Sequence, residues 1–299
     1  MNTLYNLLLH LLTPFALLRL YYKSRRNPAY RAHIGERFAR HLPPALPNSL
    51  WIHTVSVGEF LAIRPLLDAL LAVHPDHNLW LTCTTPTGRA QIAQYHAQHP
   101  GRIAYSYLPY DTTANIRRAL DHIRPHLIIL METEIWPNLL AACRAADLPV
   151  FLANARLSEQ SAQGYRRWPS LFAPALQSFR RVLAQTEADA ERLRGIGAEN
   201  VLVCGNTKYD IAPPAAMRGL AAAFKQRIGG RPVVVCASTR FHQNQDEALL
   251  LLQEWRQYQG DALLVIVPRH PERFDAVAEG AAALGLLVQR RSDEAAGRP

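Results

Sequence analysis

Glu59, Glu132, Glu134, Lys208 and Arg269 are the residues whose types and settings could do chemistry. Glu59 closes the run Ile52-His53-Thr54-Val55-Ser56-Val57-Gly58-Glu59, whose apolar part from Leu50 to Val55 reads as a buried strand. Leu61, Leu66, Leu67, Leu70 and Leu71 follow at helical spacing. Glu59 therefore falls in a strand-to-helix turn, where open parallel sheets put their ligands. Ser56 and Gly58 suit a sharp turn and a close approach of backbone to a ligand. A carboxylate at a helix start is held ionised by the dipole, which fits a general base, but such residues also simply cap helices. Glu132 and Glu134 lie just before Pro137, which is well placed as a first helical residue. The plain reading of Glu132 is a carboxylate that helps to start that helix. Glu132-x-Glu134 as a metal pair has no further oxygen ligands and no histidine at ligand spacing, so no metal is expected. Lys208, in Gly205-Asn206-Thr207-Lys208-Tyr209-Asp210, reads either as a functional cation or as surface charge. Arg269 lies between Pro268 and Pro271 after an apolar run, and a guanidinium matches phosphate bidentately.

The elements that must position these groups alternate. Residues 79–84, 103–108, 127–130, 150–153, 182–185 and 201–204 read as strands with helical patterns between them, which predicts a parallel sheet covered on both faces over 50–210. A helix-rich connector spans 211–229. A second alternating unit spans 230–299, with strands expected at 233–236, 263–267 and 286–289. Glu59, Glu132, Glu134, Arg156 and Lys208 in the first domain, and Ser238, Thr239 and Arg269 in the second, fall at the carboxyl ends of strands. That placement predicts a ligand cleft between two Rossmann-like α/β domains. At roughly 70 residues, the second unit resembles the first half of a nucleotide-binding fold.

The whole chain narrows the function classes. Its 299 residues are 49% hydrophobic, enough for a real core, with a net charge of +9. A basic balance implies anionic partners. The four cysteines lie far apart without a C-x-x-C pair, which argues against a disulfide framework and a structural zinc site. There is no P-loop, no G-x-G-x-x-G and no H-E-x-x-H. Residues 1–22 read as a membrane anchor, since 3–22 are apolar and about long enough to cross a bilayer. A weakly polar stripe, Thr3, Asn6, His10 and Thr13, together with Pro14 and Arg19, leaves open whether that helix spans or lies in the interface. Residues 23–49 form a basic segment and a proline-rich linker. Lys23, Arg25, Arg26, Arg31, Arg37 and Arg40 are expected to mark the cytoplasmic side and to attract anionic lipid.

The motifs together carry a resemblance. Val55-Ser56-Val57-Gly58-Glu59, Thr85-Pro86-Thr87-Gly88, Leu108-Pro109-Tyr110-Asp111, Met131-Glu132-Thr133-Glu134-Ile135-Trp136-Pro137-Asn138, Asn154-Ala155-Arg156-Leu157-Ser158, Gly205–Asp210 and Val267-Pro268-Arg269-His270-Pro271 occur in that order. The chain thereby resembles the 3-deoxy-D-manno-octulosonic acid (Kdo) transferases of lipopolysaccharide synthesis, inverting glycosyltransferases of the GT-B type. The resemblance implies Glu59 as general base, and Glu132 and Lys208 as groups that stabilise the transition state. It implies that Pro268 and Arg269 hold CMP, with Ser56, Gly58, Glu134, Asn154, Arg156, Ser238, Thr239 and His270 as further substrate-binding residues. CMP-Kdo would be the donor and lipid IVA the acceptor, at the cytoplasmic side of the inner membrane among anionic lipids. No cofactor and no nucleic acid are implied. The family's loop after Ser238-Thr239 usually contains glycine, whereas here it reads Arg240-Phe241-His242-Gln243-Asn244-Gln245-Asp246-Glu247. The family's later Gly-Gly-His-Asn segment does not occur in this sequence. The second domain is accordingly expected to be incomplete, and the alternative reading is a truncated, non-catalytic membrane-associated remnant that still binds the lipid acceptor.

Overall fold

Strands β1 (Ser49–His53), β2 (Asn78–Cys83), β3 (Ile103–Tyr107), β4 (Leu127–Met131), β5 (Val150–Ala155), β6 (Arg181–Ala184) and β7 (Val201–Val203) pair in parallel as one sheet. Their order is β3-β2-β1-β4-β5-β6-β7. The computed structural model describes residues 2–25, 27–212, 215–242 and 245–291, and the chain divides into two units, Met1–Ala212 and Pro213–Pro299.

In the first unit, alternate strand residues face opposite layers, as the pleat requires. Trp51, Trp80, Ile128, Leu130 and Leu152 lie in one apolar cluster, and Leu50, Ile52, Leu79, Leu81 and Ile129 in the other. The two buried indoles find partners on neighbouring strands: Trp51 Nε1 donates to Thr82 Oγ1 at 2.9 Å and Trp80 Nε1 to Ser106 Oγ at 3.3 Å. Without those hydroxyls each buried N–H would cost about 1–3 kcal/mol.

The chain enters through α1 (Asn2–Ser24), long and apolar enough by length and composition to cross a membrane. The crossover helices are α2 (Val57–Val73), α3 (Pro86–Gln98), α4 (Thr113–Ile123), α5 (Pro137–Ala145), α6 (Glu159–Arg166), α7 (Pro169–Leu176) and α8 (Glu187–Arg194). Ile63 and Leu67 of α2 with Ile92 of α3 cover one face; Ile116, Leu139, Leu176 and Leu193 of α4, α5, α7 and α8 cover the other. From β1 the chain steps outward to β3, then returns to β4 and steps outward to β7. The winding therefore reverses between β1 and β4, and doubly wound sheets open a ligand crevice at that reversal.

Residues 42–48 form neither helix nor strand, as a proline-rich linker should, but the basic segment before them is more ordered than its composition predicts. Two 3-10 turns, Pro28–Arg31 and Ile34–Phe38, form there, and Glu36 and Arg37 are buried. Glu36 accepts two bonds from the Arg89 guanidinium at 2.6 and 2.9 Å and one from the Tyr107 N–H at 2.8 Å. Arg37 donates to the Thr84 carbonyl at 2.9 Å and lies 3.9 Å from the Tyr107 ring centroid. Arg37 is thus built into the domain and is not among the cations open to lipid; Arg26 lies outside the described residues.

In the second unit β8 (Val233–Thr239) pairs in parallel with β11 (Leu263–Pro268), and β9 (Phe241–His242) pairs antiparallel with β10 (Gln245–Asp246). Helices α9 (Ala215–Ile228), α10 (Glu247–Trp255) and α11 (Phe274–Ala283) complete it. Ala248, Leu252, Val277 and Ala281 form its core, with Leu264, Ile266 and Leu286 packed against them. The strand expected at 286–289 is not formed. Leu286 is used for packing, Leu287 is fully exposed, and no ladder partner is present among the described residues.

Candidate active site

The turn after β1 holds Glu59 by reciprocal bonds. Ser56 takes an extended conformation and its Oγ accepts the Glu59 N–H. The Ser56 hydroxyl donates to Glu59 Oε1 at 3.2 Å, and the Val55 N–H donates to Oε2 at 2.7 Å. This is a capping box displaced by one residue, and it fixes the carboxylate at the first turn of α2. Burial raises the Glu59 pKa above the ordinary carboxylate range, and the charges of Glu132 and Glu134 raise it further, against the Val55 amide and the Ser56 hydroxyl. Gly58 has no steric role within the protein, since a Cβ there would meet only Ser56 Oγ at 3.9 Å. It leaves the first turn of α2 bare on its exposed side.

The turn after β4 supplies the neighbouring carboxylates. Glu132 adopts φ 55° in the left-handed region, which costs a non-glycine residue roughly 1–3 kcal/mol, and its N–H donates to the Ala153 carbonyl at 3.0 Å. Glu134 Oε2 accepts the Trp136 Nε1 proton at 2.9 Å and lies 3.4 Å from Nε2 of His53. His53 is completely buried, with Nδ1 3.0 Å from Thr82 Oγ1 and 3.2 Å from the Thr82 carbonyl. Sequence reasoning passed over His53 because it counted as a residue of the buried strand. The available signal was a titratable side chain at the last position of a strand that enters the site.

The turns after β5, β6 and β7 bring in the lysine. Asn154 is left-handed (φ 51°), a conformation asparagine tolerates, and its Oδ1 accepts the Thr207 N–H at 3.2 Å. Its carbonyl accepts Gln185 Nε2 at 2.9 Å, Gln185 Oε1 accepts Asn206 Nδ2 at 2.9 Å, and Asn206 Oδ1 accepts the Lys208 N–H at 3.0 Å. The 3-10 turn Thr207–Asp210 formed in this way packs against α2, and Lys208 Nζ lies 4.0 Å from Glu132 Oε1. Thr133 Oγ1 donates to the Arg156 carbonyl at 2.8 Å and ties the β4 turn to the β5 turn; the Arg156 residue itself is exposed. Around these turns, His53 Nε2, Thr54 Oγ1, Asn154 Nδ2 and Thr207 Oγ1 are buried polar atoms without a hydrogen-bond partner. Such orphans are rare in folded proteins.

In the second unit, Ser238 (φ 63°) and the buried Thr239 end β8, beside Pro268 at the end of β11. The Arg269 N–H donates to the Thr239 carbonyl at 3.0 Å, and the Arg269 and His270 residues are exposed. The structure thus gathers Glu59, Glu132, Glu134, Asn154 and Lys208 within the first unit, and Ser238, Thr239, Pro268, Arg269 and His270 within the second. No group of three or more histidine, cysteine, aspartate or glutamate side chains able to hold a metal occurs among the described residues. A cavity of about 570 Å³ beside Arg144, Phe151 and Arg180 opens at the opposite, amino-terminal end of β5 and holds none of these groups.

Comparison with solved structures defines the class first. UDP-GlcNAc 2-epimerase from Neisseria meningitidis superposes with a TM-score of 0.52 at 16% identity, over 81% of this chain and 72% of its own. MurG from Acinetobacter baumannii superposes with a TM-score of 0.51 at 9% identity, over 81% and 65%. At these identities the likeness concerns the fold, which is α/β of the GT-B type. Residues 32–211 match the family model described as 3-deoxy-D-manno-octulosonic-acid transferase (kdotransferase). The 3-deoxy-D-manno-octulosonic acid transferase of Bordetella pertussis is 38% identical over 298 residues, covering 96% of this chain and 68% of the relative. That of Haemophilus influenzae is 32% identical over 290 residues, covering 92% and 65%. The chain belongs to the Kdo transferase family, and it spans about two thirds of the length of these two relatives.

Proposed function

We propose that the protein transfers Kdo from CMP-Kdo to a hydroxyl of the lipid A precursor lipid IVA, with Glu59 as general base. The observation that carries this reading is the Glu59 carboxylate itself. It is oriented by the Val55 amide and the Ser56 hydroxyl at the winding reversal of the sheet, and its pKa is raised by burial and by two neighbouring carboxylates. A base whose pKa is moved toward neutrality accepts a proton better than an ordinary glutamate does. In the proposed step the acceptor oxygen bonds to the anomeric carbon of Kdo, and the hydroxyl proton goes to Glu59. The bond from that carbon to the CMP phosphate breaks, and its electron pair leaves with CMP.

Glu132 offsets positive charge on the sugar, and Lys208 offsets negative charge on the leaving phosphate or on the Kdo carboxylate. Ser56, Gly58, Glu134, Asn154 and Arg156 contact substrate in the first unit. In the second, Pro268 and Arg269 hold CMP beside Ser238, Thr239 and His270. Residues 50–210 serve as the acceptor domain and 230–299 as part of the donor domain. The anchor 1–22 and the exposed cations after it hold the protein among anionic lipids on the cytoplasmic face of the inner membrane.

The test is transfer itself: the purified chain, freshly made CMP-Kdo and lipid IVA, with products resolved by thin-layer chromatography and mass. A lipid heavier by a Kdo residue supports the proposal. Lipid IVA binding without transfer would overturn it in favour of a non-catalytic acceptor-binding protein.

A further inference from the structure

α1 is tied to the domain near its start and to the adjoining turn Pro28–Arg31 at its end. Near its start, the Tyr5 hydroxyl donates to Asp111 Oδ2 at 3.1 Å. Asn6 Nδ2 donates to Thr113 Oγ1 at 2.7 Å, while Asn6 Oδ1 accepts the Thr113 N–H at 3.0 Å and Asn138 Nδ2 at 3.2 Å. At its end, the buried Ser24 Oγ accepts Arg31 Nε at 2.6 Å, and the Arg31 guanidinium lies 4.3 Å from the Tyr21 ring centroid.

Between the ties the helix has two faces. Tyr5, Leu9, Thr13, Ala16, Leu17 and Leu20 are half-buried at steps of three and four, down the whole length of the helix. Leu4, Leu8, Leu11, Leu12, Phe15 and Leu18 are 47–67% exposed. Of the polar stripe visible in the sequence, Asn6 bonds the domain and Thr13 is half-buried with its hydroxyl on the Leu9 carbonyl, whereas Thr3 and His10 are exposed.

This geometry bears on the two membrane placements that composition leaves open. Nineteen residue steps separate Tyr5 from Ser24, about 28 Å of helix. A span needs about 30 Å of hydrocarbon between its ends, and that would put position 5 on the far side of the bilayer from the domain. Tyr5 and Asn6 cannot be there and also bond Asp111, Thr113 and Asn138, which argues against a span. We propose that α1 is an in-plane helix of a single leaflet, pinned to the domain by Tyr5 and Asn6, with its exposed leucine face in a bilayer of anionic phospholipid. The inference rests on the proposed membrane location. Charge argues for the lipid as occupant: Arg19, Lys23 and Arg25 are exposed on and just after the helix, beside Tyr21 and Tyr22, a composition suited to the headgroup layer. The pin also connects to the candidate site. Asp111, which holds Tyr5, accepts the N–H groups of Asn138 and Leu139 at the start of α5, a few residues beyond Glu134. The leaflet surface is thereby fixed relative to the turn that carries Glu132 and Glu134.

Topology tests this in the whole chain expressed in a bacterial inner membrane. An Asn2→Cys variant is treated with a membrane-impermeant maleimide in intact spheroplasts and after lysis, with the exposed Cys204 as the cytoplasmic reference. The expected result is labelling of position 2 in intact cells below a tenth of that after lysis, in parallel with Cys204. A second variant, Asn6→Cys with Thr113→Cys, should be bridged by a short bifunctional thiol crosslinker in the membrane pellet. Full labelling of position 2 from outside, or no bridge between 6 and 113, overturns the flat placement and leaves the membrane location standing. A chain that stays out of the membrane pellet overturns both.

Discussion

Replacing Glu59 with glutamine separates the two roles that its position allows. The structure gives the carboxylate two local contacts, the Val55 N–H at 2.7 Å and the Ser56 hydroxyl at 3.2 Å. A glutamine amide keeps an oxygen for the first, and its NH2 can meet the Ser56 oxygen in place of the second. What disappears is a negative charge at a helix start, worth about 0.3–1 kcal/mol. Repulsion from Glu132 and Glu134 disappears with it, so unfolding stability should change by less than about 1 kcal/mol. Loss of a general base instead lowers turnover about a hundredfold to ten-thousandfold, or about 2.7–5.4 kcal/mol of activation free energy. The two roles thus predict effects that barely overlap.

Glu59→Ala is the control. It also strands the Val55 N–H, at about 1–3 kcal/mol of stability, while lowering turnover no further than Gln does. The paired assay is thermal unfolding with kcat/KM for lipid IVA. Because the Glu59 pKa is raised, the acid limb of kcat/KM should lie above the ordinary glutamate value near 4.3, and Glu59→Gln should abolish it. Turnover within about fivefold of the parent, with the acid limb intact, would refute the base and leave Glu59 as a cap.

Two further outcomes follow from the same geometry. The Lys208–Glu132 pair is 4.0 Å apart with the lysine side chain half exposed, and exposed pairs contribute about 0–1 kcal/mol. Lys208→Met should therefore leave the unfolding midpoint nearly unchanged while lowering kcat more than tenfold with little change in KM for acceptor, which steady-state kinetics on both substrates would read. Burial pushes the Asp111 carboxyl up to about 7, against the opposing bonds from Asn138, Leu139 and Tyr5. An unfolded aspartate titrates near 3.9, so between about pH 4 and 7 the folded state holds a proton that the unfolded state has lost. The Asp111 contribution to stability is therefore full below about pH 4 and falls as pH rises to about 7. Urea midpoints across that range should show less slope in Asp111→Asn than in the parent, and equal slopes would refute the assignment.

Much of the first unit is legible in the sequence because its strands are short apolar runs and its helices carry plain start signals. Ser56, Thr85, Thr112 and Pro137 each begin a helix where their residue types predict one. Parallel pairing also follows from the alternation of elements. The strand order does not, because nothing local states that β1 is flanked by β2 and β4. Helices α6 and α7 are less visible, since α6 has one buried residue, Ala162, and α7 contains Pro174. Composition misreads the basic segment before the proline-rich linker, where Glu36 and Arg37 look like solvated charge and are fixed instead by Arg89, Tyr107 and Thr84, 47 to 71 residues further along the chain. The run at 286–289 fails for the opposite reason: its local pattern fits a strand, but a strand forms only against a partner. Among site groups, the individual turns are visible in sequence, whereas the hydrogen-bond relay from Asn154 through Gln185 and Asn206 to Lys208 exists only once β5, β6 and β7 lie side by side.

The left-handed residues at the strand ends tie these observations together. Glu132, Asn154 and Ser238 each have positive φ, and each lies at the carboxyl end of a parallel strand: Glu132 directly after β4, Asn154 and Ser238 one residue before the ends of β5 and β8. For asparagine the conformation costs little; for glutamate and serine it opposes folding by roughly 1–3 kcal/mol unless neighbours compensate. The neighbours of Glu132 and Asn154 do so with backbone bonds, Glu132 N–H to the Ala153 carbonyl and Thr207 N–H to Asn154 Oδ1. A strand that ran straight on would keep its side chains alternating between the two apolar layers. The left-handed step breaks that alternation, so that Glu132 stands beside Lys208 and raises the pKa of Glu59. At Glu132 the strain is thus one means, beside the helix start that carries Glu59 and the 3-10 turn that carries Lys208, by which a parallel sheet presents charge at its carboxyl edge.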